Sequence, residues 1–180
     1  MGHARVTEDP DGEPLTRLRP AYDSEVALLE AWREDPQSPY DDWSGPVAPG
    51  TEGLERPPQT IPGGVLVVAD GMDDPLGTVS WHGVVYGPTP GSVAWDIGIS
   101  LRPFAHGLGH GARAQRMLAT YLFATTPAHR VQASTDVTNV PEQRALARAG
   151  FVREGVVRGA QWRNGCWHDL VVFARLRGDH

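Results

Sequence analysis

Residues 102–113 read Arg102-Pro103-Phe104-Ala105-His106-Gly107-Leu108-Gly109-His110-Gly111-Ala112-Arg113. The stretch begins where an apolar segment, Val93 to Leu101, gives out. It ends inside a run whose apolar residues, Ala114, Met117, Leu118, Tyr121 and Leu122, recur at helical spacing. It is therefore a strand-to-helix turn. Three glycines in five residues let main chain approach a ligand with no Cβ in the way. The first N–H groups of a helix have no partner within it, and the helix dipole adds about half a positive charge there. Such a turn is built for a phosphate or diphosphate, and Arg113 and Arg116 stand near enough in sequence to add charge.

Upstream of the turn, Val65 to Ala69 is a continuous apolar run closed by Asp70-Gly71, a buried strand and a turn. Leu76 to Tyr86 and Val93 to Leu101 follow as strands about the turn at 87–91, completing an antiparallel meander. Leu15 to Arg19 alternate as a half-buried strand does. Asp23 can cap a helix carrying Val26, Leu29 and Trp32 at spacings of three. Downstream, Gly109 to Thr125 is a helix and Val131 to Thr135 a strand. Asn139 starts a short helix that stops at Gly150. Phe151 to Val157 and Trp167 to Leu176 pair about Asn164-Gly165. This order predicts one α/β domain over residues 14–178, a mixed α+β arrangement with a central sheet of about seven strands. Residues 1–13 read as a flexible tail. Residues 36–64, rich in Pro, Gly and acids, form a long loop of the kind that carries function, and Tyr40, Asp41, Asp42 and Trp43 lie in it.

The 180 residues carry a net charge of −6, with no lysine. The sign is divided: 17 acids against 5 arginines up to residue 101, then 5 acids against 11 arginines. A basic second half suits a polyanionic ligand and an acidic first half a cationic one. Net acidity argues against a nucleic-acid binder. No apolar run reaches the ~20 residues that cross a bilayer, and Met1 to Arg5 leads into acids, not into a secretory signal. The single Cys166 excludes an intrachain disulfide and fits a cytoplasmic setting.

Other readings of the turn are weaker. Gly107-Leu108-Gly109-His110-Gly111-Ala112 satisfies a loosened dinucleotide fingerprint, which would make the chain a nicotinamide-dependent oxidoreductase. Here, however, the preceding strand belongs to an antiparallel meander, and no acid stands about 20 residues on to meet a ribose. His106 and His110 are spaced as metal ligands, but no third ligand accompanies them, so no metal is expected.

With these motifs in order, the sequence resembles the GNAT superfamily of acyl-CoA N-acyltransferases, in its RimJ/RimL-like branch. His106-Gly107-Leu108-Gly109-His110-Gly111 occupies the superfamily's Arg/Gln-x-x-Gly-x-Gly/Ala motif, with His106 in place of Arg or Gln. Trp95-Asp96-Ile97-Gly98-Ile99-Ser100-Leu101 is similar to its fourth strand. Asn139 through Gly150-Phe151 is similar to its Asn…Gly-Phe helix. Glu154 to Arg158 and Asn164 to Asp169 are similar to the RimJ/RimL ending. The resemblance implies a sheet splayed in its middle, with helices on both faces. It implies acetyl-CoA as cosubstrate and an amine as acceptor, and allows a homodimer without requiring one. Backbone groups of Ser100 and Leu101 would pair with the pantetheine arm. The amides from Gly107 to Ala112 (Leu108, Gly109, His110 and Gly111 between them) would hold the diphosphate, beside His106, and Asn139 would contact the arm near the thioester.

Amide formation needs a neutral amine, a polarised carbonyl and a protonated leaving thiolate. A positioned carboxylate can deprotonate the amine. Asp96 lies in an apolar strand, at a position where the superfamily often has a Glu; an acid there is expensive unless paired, so Asp96 is a candidate catalytic carboxylate or, equally, a hydrogen-bonded structural acid. Glu142 stands where the RimJ/RimL pattern commonly has Ser, and Gln161 where it often has a Glu base. Glu142 is therefore a candidate base, with Gln161 orienting the substrate. Equally, Asn139-x-x-Glu142 has the form of a capping box. Leu146 stands where many relatives carry a catalytic Tyr. Tyr40, Trp43, Trp81 and Trp162 could line an acceptor pocket, Asp41 and Asp42 could attract an ammonium, and Asp169 could pair with Arg158. The altered acid and base positions leave open a non-catalytic acyl-CoA-binding module.

Overall fold

The computed structural model describes residues 9, 12, 14–35, 37–43, 45–54 and 61–179. Most of the segment read as a tail, residues 1–8, 10, 11 and 13, lies outside them. Seven strands form one sheet: β1 Arg17–Arg19, β2 Ile61–Ala69, β3 Pro75–Val85, β4 Val93–Leu101, β5 Arg130–Asp136, β6 Val152–Arg163 and β7 Cys166–Leu176. Three α-helices accompany them: α1 Val26–Glu34, α2 His110–Thr125 and α3 Val140–Arg148. The sheet order is β1-β2-β3-β4-β5-β7-β6. Every neighbouring pair is antiparallel except β4 and β5, which run parallel.

Period-2 alternation decides what each face of the sheet does. Odd-numbered residues of β4 face α2: Ile97 is buried in the core, Leu101 meets the first turn of α2 at Gly111, and Trp95 Nε1 donates to Thr126 just past its end. Leu118, Leu122, Leu146, Val79 and Val131 are fully buried in this layer, each worth roughly 1.5–3 kcal/mol over an exposed position. Leu146 is thus a core residue. Trp81 packs into the same layer, edge-to-face with Tyr121 of α2 at 6.1 Å.

β2 begins earlier than its apolar run, because Ile61 pairs with Gly83 across an irregularity in the register. Gly63 permits this: a Cβ there would sit 1.7 Å from the Trp81 carbonyl oxygen. Asp23 does not cap α1. It opens a single 3₁₀ turn, Asp23–Glu25, in which Glu25 takes two bonds of 2.7 Å from Arg19. The β6–β7 hairpin turns at Asn164 and Gly165, both at positive φ, as a two-residue turn matched to strand twist requires. Asp169 accepts from Gly159 N at 2.7 Å, so the expected pairing with Arg158 gives way to a main-chain bond. No helix among the described residues is long and apolar enough to cross a membrane.

Candidate active site

β4 and β5 are joined only at Trp95↔Val131 and Asp96↔Gln132. Beyond that point residues 97–101 and 133–136 have no strand partner across the gap, so the sheet parts in its middle. The glycine turn stands at the open end. Gly107 and Gly109 adopt φ of +74° and +89°, the left-handed region that favours glycine. Gly109 is the N-cap of α2, and no side chain among the described residues caps that end. The first amides of a sixteen-residue helix are thereby available to an anion. An open edge of β4 leading to a helix that starts on a glycine turn fits a long arm that ends in a diphosphate.

Two side chains of the turn serve the protein itself. His110 is buried with Nδ1 2.9 Å from Thr16 Oγ1, and burial pulls its pKa below the ordinary imidazole value. Any ligand role it has belongs to its amide. His106 Nε2 lies 2.8 Å from the Leu101 carbonyl oxygen, so this ring locks the turn to the end of β4. Arg113 is paired with Asp9. The two histidines have separate partners, and the described residues hold no group of metal-ligating side chains.

At the parting, Glu142 and Asp41 are near enough for the charge of Asp41 to be felt at Glu142. Asn139 Oδ1 accepts from Glu142 N at 3.4 Å, while Asn139 N bonds the Asp136 carbonyl. The capping box is therefore only half made, and the Glu142 carboxylate is free to turn to Gln115 of α2. Asn139 Nδ2 donates to Thr135 Oγ1 at 3.1 Å, which ties its side chain to β5. Burial, with the Asp41 charge added and the Gln115 bond opposing, pushes Glu142 up to about 7. From the other face of β4, Ser100 Oγ donates to Asp41 Oδ2 at 3.3 Å. Burial raises Asp41 as well, against the Ser100 bond and the charges of Arg163 and His106. Asp42 is half-buried and Trp43 is 62% exposed.

Asp96 sits at the junction itself, accepting from Gln132 Nε2 at 2.7 Å, and Gln132 Oε1 accepts from Tyr86 and Arg130. Burial raises Asp96, partly offset by the Gln132 bond. It is paired with Gln132, on the same face of β4 as Ser100. An open groove of about 440 Å³ lies at the other end of β5, lined by Tyr86, Arg130, Glu154, Val156 and Val172.

The hairpin completes the surroundings. Arg163 Nη1 donates to Gln161 Oε1 at 2.6 Å and to the Tyr40 carbonyl at 3.3 Å. Gln161 is therefore held by Arg163. Trp162 Nε1 donates to the Pro46 carbonyl and its ring meets Trp167, pinning the loop to the hairpin. Asp136, 3% exposed, accepts from Arg163 at 2.5 Å and from Thr138 N and Oγ1. Burial alone would raise it, but the Thr138 bonds and Arg163 hold it down to about 2. A depressed carboxylate stabilises the fold above its unfolded value of ~3.9 and loses that contribution as pH falls through its folded value. D136N is expected to lower Tm at pH 7, and its deficit against the wild type to shrink as pH drops from about 4 to about 2. Thermal melts across that range measure this, and a constant deficit would rule it out.

Asp136, Arg163, His168, Gln115 and Gln132 were not singled out from the sequence. Gln115 carried a signal, as a polar residue on the helix face of Leu118, Ala119 and Leu122.

The geometry defines a class: a mixed sheet parted at a single parallel pair, beside a helix that starts on a glycine turn. A family model, "Acetyltransferase (GNAT) domain", matches residues 16–152, and the chain belongs to that family. It is 32% identical over 116 residues to the probable N-acetyltransferase YjcK of Bacillus subtilis, a match covering 64% of this chain and 61% of that one. The chain spans less than two thirds of the length of the curated relatives it matches. Among solved structures, ribosomal-protein-S5-alanine acetyltransferase from Vibrio fischeri superposes with a TM-score of 0.69 at 20% identity, covering 91% and 94% of the two chains. Mycobacterium smegmatis RimJ gives 0.70 at 20% identity, covering 89% and 81%. These likenesses show the fold. The antiparallel pairing of β3 with β4 replaces the parallel crossover that the dinucleotide alternative needed.

Proposed function

We propose that this protein transfers an acetyl group from acetyl-CoA to a primary amine by direct attack, with Glu142 as general base. What supports the reading is the surroundings of Glu142: it bonds Gln115 of α2, burial raises it to about 7, and it feels the charge of Asp41, which in turn accepts from Ser100 on the unpaired end of β4. The amides from Gly107 to Ala112 would hold the diphosphate, and the open edge at Ser100 and Leu101 would pair with the pantetheine arm. The bound cosubstrate supplies the activated acetyl group. The protein's part is to take the ammonium proton and to hold the acceptor.

A base near 7 suits an α-amine of pKa about 8 better than a side-chain amine of about 10.4. A protein N-terminus or a small α-amine is therefore the favoured acceptor, and one structural neighbour is named for the alanine of ribosomal protein S5. Asp41 and Asp42 would draw its positive charge to the cleft. An acceptor panel incubated with acetyl-CoA tests the reading through free thiol release and the mass of the acetylated amine. Tight acetyl-CoA binding with no turnover on any amine would favour the non-catalytic module.

Asp41 has its own signature. Its negative charge raises Glu142, so D41N is expected to lower the pH at which kcat/KM reaches half its plateau. The same variant is expected to raise KM for a cationic amine by roughly three- to tenfold, the scale of one partly screened ion pair. An unshifted pH profile would separate the two carboxylates functionally.

A further inference from the structure

The tip of the β6–β7 hairpin carries chemistry that amine acetylation leaves unused. Cys166 and His168 stand two apart on β7 and so share a face, opposite Arg163 and Gln161 of β6. Cys166 is an exposed free thiol. Its Sγ lies 3.2 Å from His168 Nε2, and His168 Nδ1 lies 2.9 Å from Asp136 Oδ2. Asp136 is fixed by Thr138 and Arg163. At Nδ1 the Asp136 carboxylate, 2.9 Å away, can only accept and Arg163 Nη2, 3.2 Å away, can only donate; the shorter contact, to the carboxylate, places the neutral ring's proton on Nδ1 and leaves the Nε2 lone pair toward the thiol. The Arg163 carbonyl, 3.1 Å from Nε2, becomes a hydrogen-bond acceptor once Nε2 has gained a proton. Nucleophile, base and the group that orients the base are within reach of one another.

We infer that Cys166 is a nucleophile toward thioesters, with His168 as its base and Asp136 as a positioning residue, and that the protein acetylates itself on this sulfur. His168 Nε2 takes the Sγ proton, and Sγ bonds to the thioester carbonyl carbon. The carbon–sulfur bond to the donor thiol then breaks, and the departing thiolate takes the proton from Nε2. The products are S-acetyl-Cys166 and a free thiol, with no oxidant or reductant involved. The inference rests on the proposed function only for the donor's identity. The relay also borders the cleft: Asp136 ends β5 at the parting, and Arg163 holds Tyr40, whose neighbour Asp41 holds Ser100 of β4.

The whole chain is incubated with acetyl-CoA or with S-acetylpantetheine, without amine, then digested and mapped by mass. An acetyl group on Cys166, released by neutral hydroxylamine and missing in C166S, is expected, while C166S still acetylates amines. Iodoacetamide is expected to modify Cys166 on the order of 100-fold more slowly in H168Q, the lower range of what a positioned base supplies. Should H168Q fold poorly, the wild type serves: its Cys166 is expected to react faster folded than in urea. A preparation that acetylates amines but leaves Cys166 unlabelled overturns the inference, as does alkylation no faster in the folded chain. Labelling by S-acetylpantetheine in a protein that acetylates no amine would uphold it while defeating the proposed function.

Discussion

E142Q is expected to lower kcat/KM for amine acetylation by about 10²–10³-fold, within the range a positioned general base contributes, with little change in acetyl-CoA affinity. Gln matches Glu in volume and can still bond Gln115, so the change isolates ionisation. In the wild type, kcat/KM is expected to rise with pH and level off above the Glu142 value of about 7, because only the carboxylate can accept the ammonium proton. That rise should vanish in E142Q, leaving only the titration of the amine itself. Steady-state rates from pH 5.5 to 9, with thiol release as readout, measure both effects. Retention of the wild-type rate and profile would move the base elsewhere, Asp41 being the next carboxylate at the parting. The alternative that Glu142 merely caps α3 makes a different forecast, a loss of Tm with kcat intact. The half-made box, with Asn139 N already bonded to Asp136, leaves little for such a cap to lose.

Local pattern made most of the fold legible. The meander, the helix after the glycines and the Asn164-Gly165 turn all stood where periodicity and turn chemistry put them, because burial of one face per element is written at short range. The edges were less legible. The strand read as Phe151 to Val157 runs on to Arg163, past Arg158-Gly159-Ala160 with its low strand propensity, because Gln161, Trp162 and Arg163 pair with β7. The edge-to-face contact of Trp81 with Tyr121 of α2 was not legible either. In the site, the turn and Glu142 were visible as departures from a motif. The partners of Glu142 were not: Gln115 and Asp41 lie 27 and 101 residues before it and meet it only through the fold. The Cys166–His168–Asp136 relay is hidden for the same reason, although Cys166 and His168, two apart on a strand, already announced a shared face.

L108D is expected to weaken coenzyme A binding by at least tenfold while leaving the fold as stable as before. Leu108 is 59% exposed between the two left-handed glycines, so the substitution removes little packing and should fall within about 0.5 kcal/mol in stability. An acid this close to the start of α2 interacts favourably with the helix dipole, by about 0.3–1 kcal/mol, which works toward a higher Tm. The same charge opposes a diphosphate at the neighbouring amides, and unit charges about 4 Å apart near a protein surface interact by up to ~4 kcal/mol, enough to outweigh the dipole gain. Stability and affinity should therefore move apart. S-acetylpantetheine, which lacks the diphosphate, should bind L108D and wild type alike. Calorimetric titration with both ligands, beside a thermal melt, makes the comparison. Equal loss for the two would place the Leu108 side chain against the arm, and no loss for either would remove the diphosphate from the start of α2.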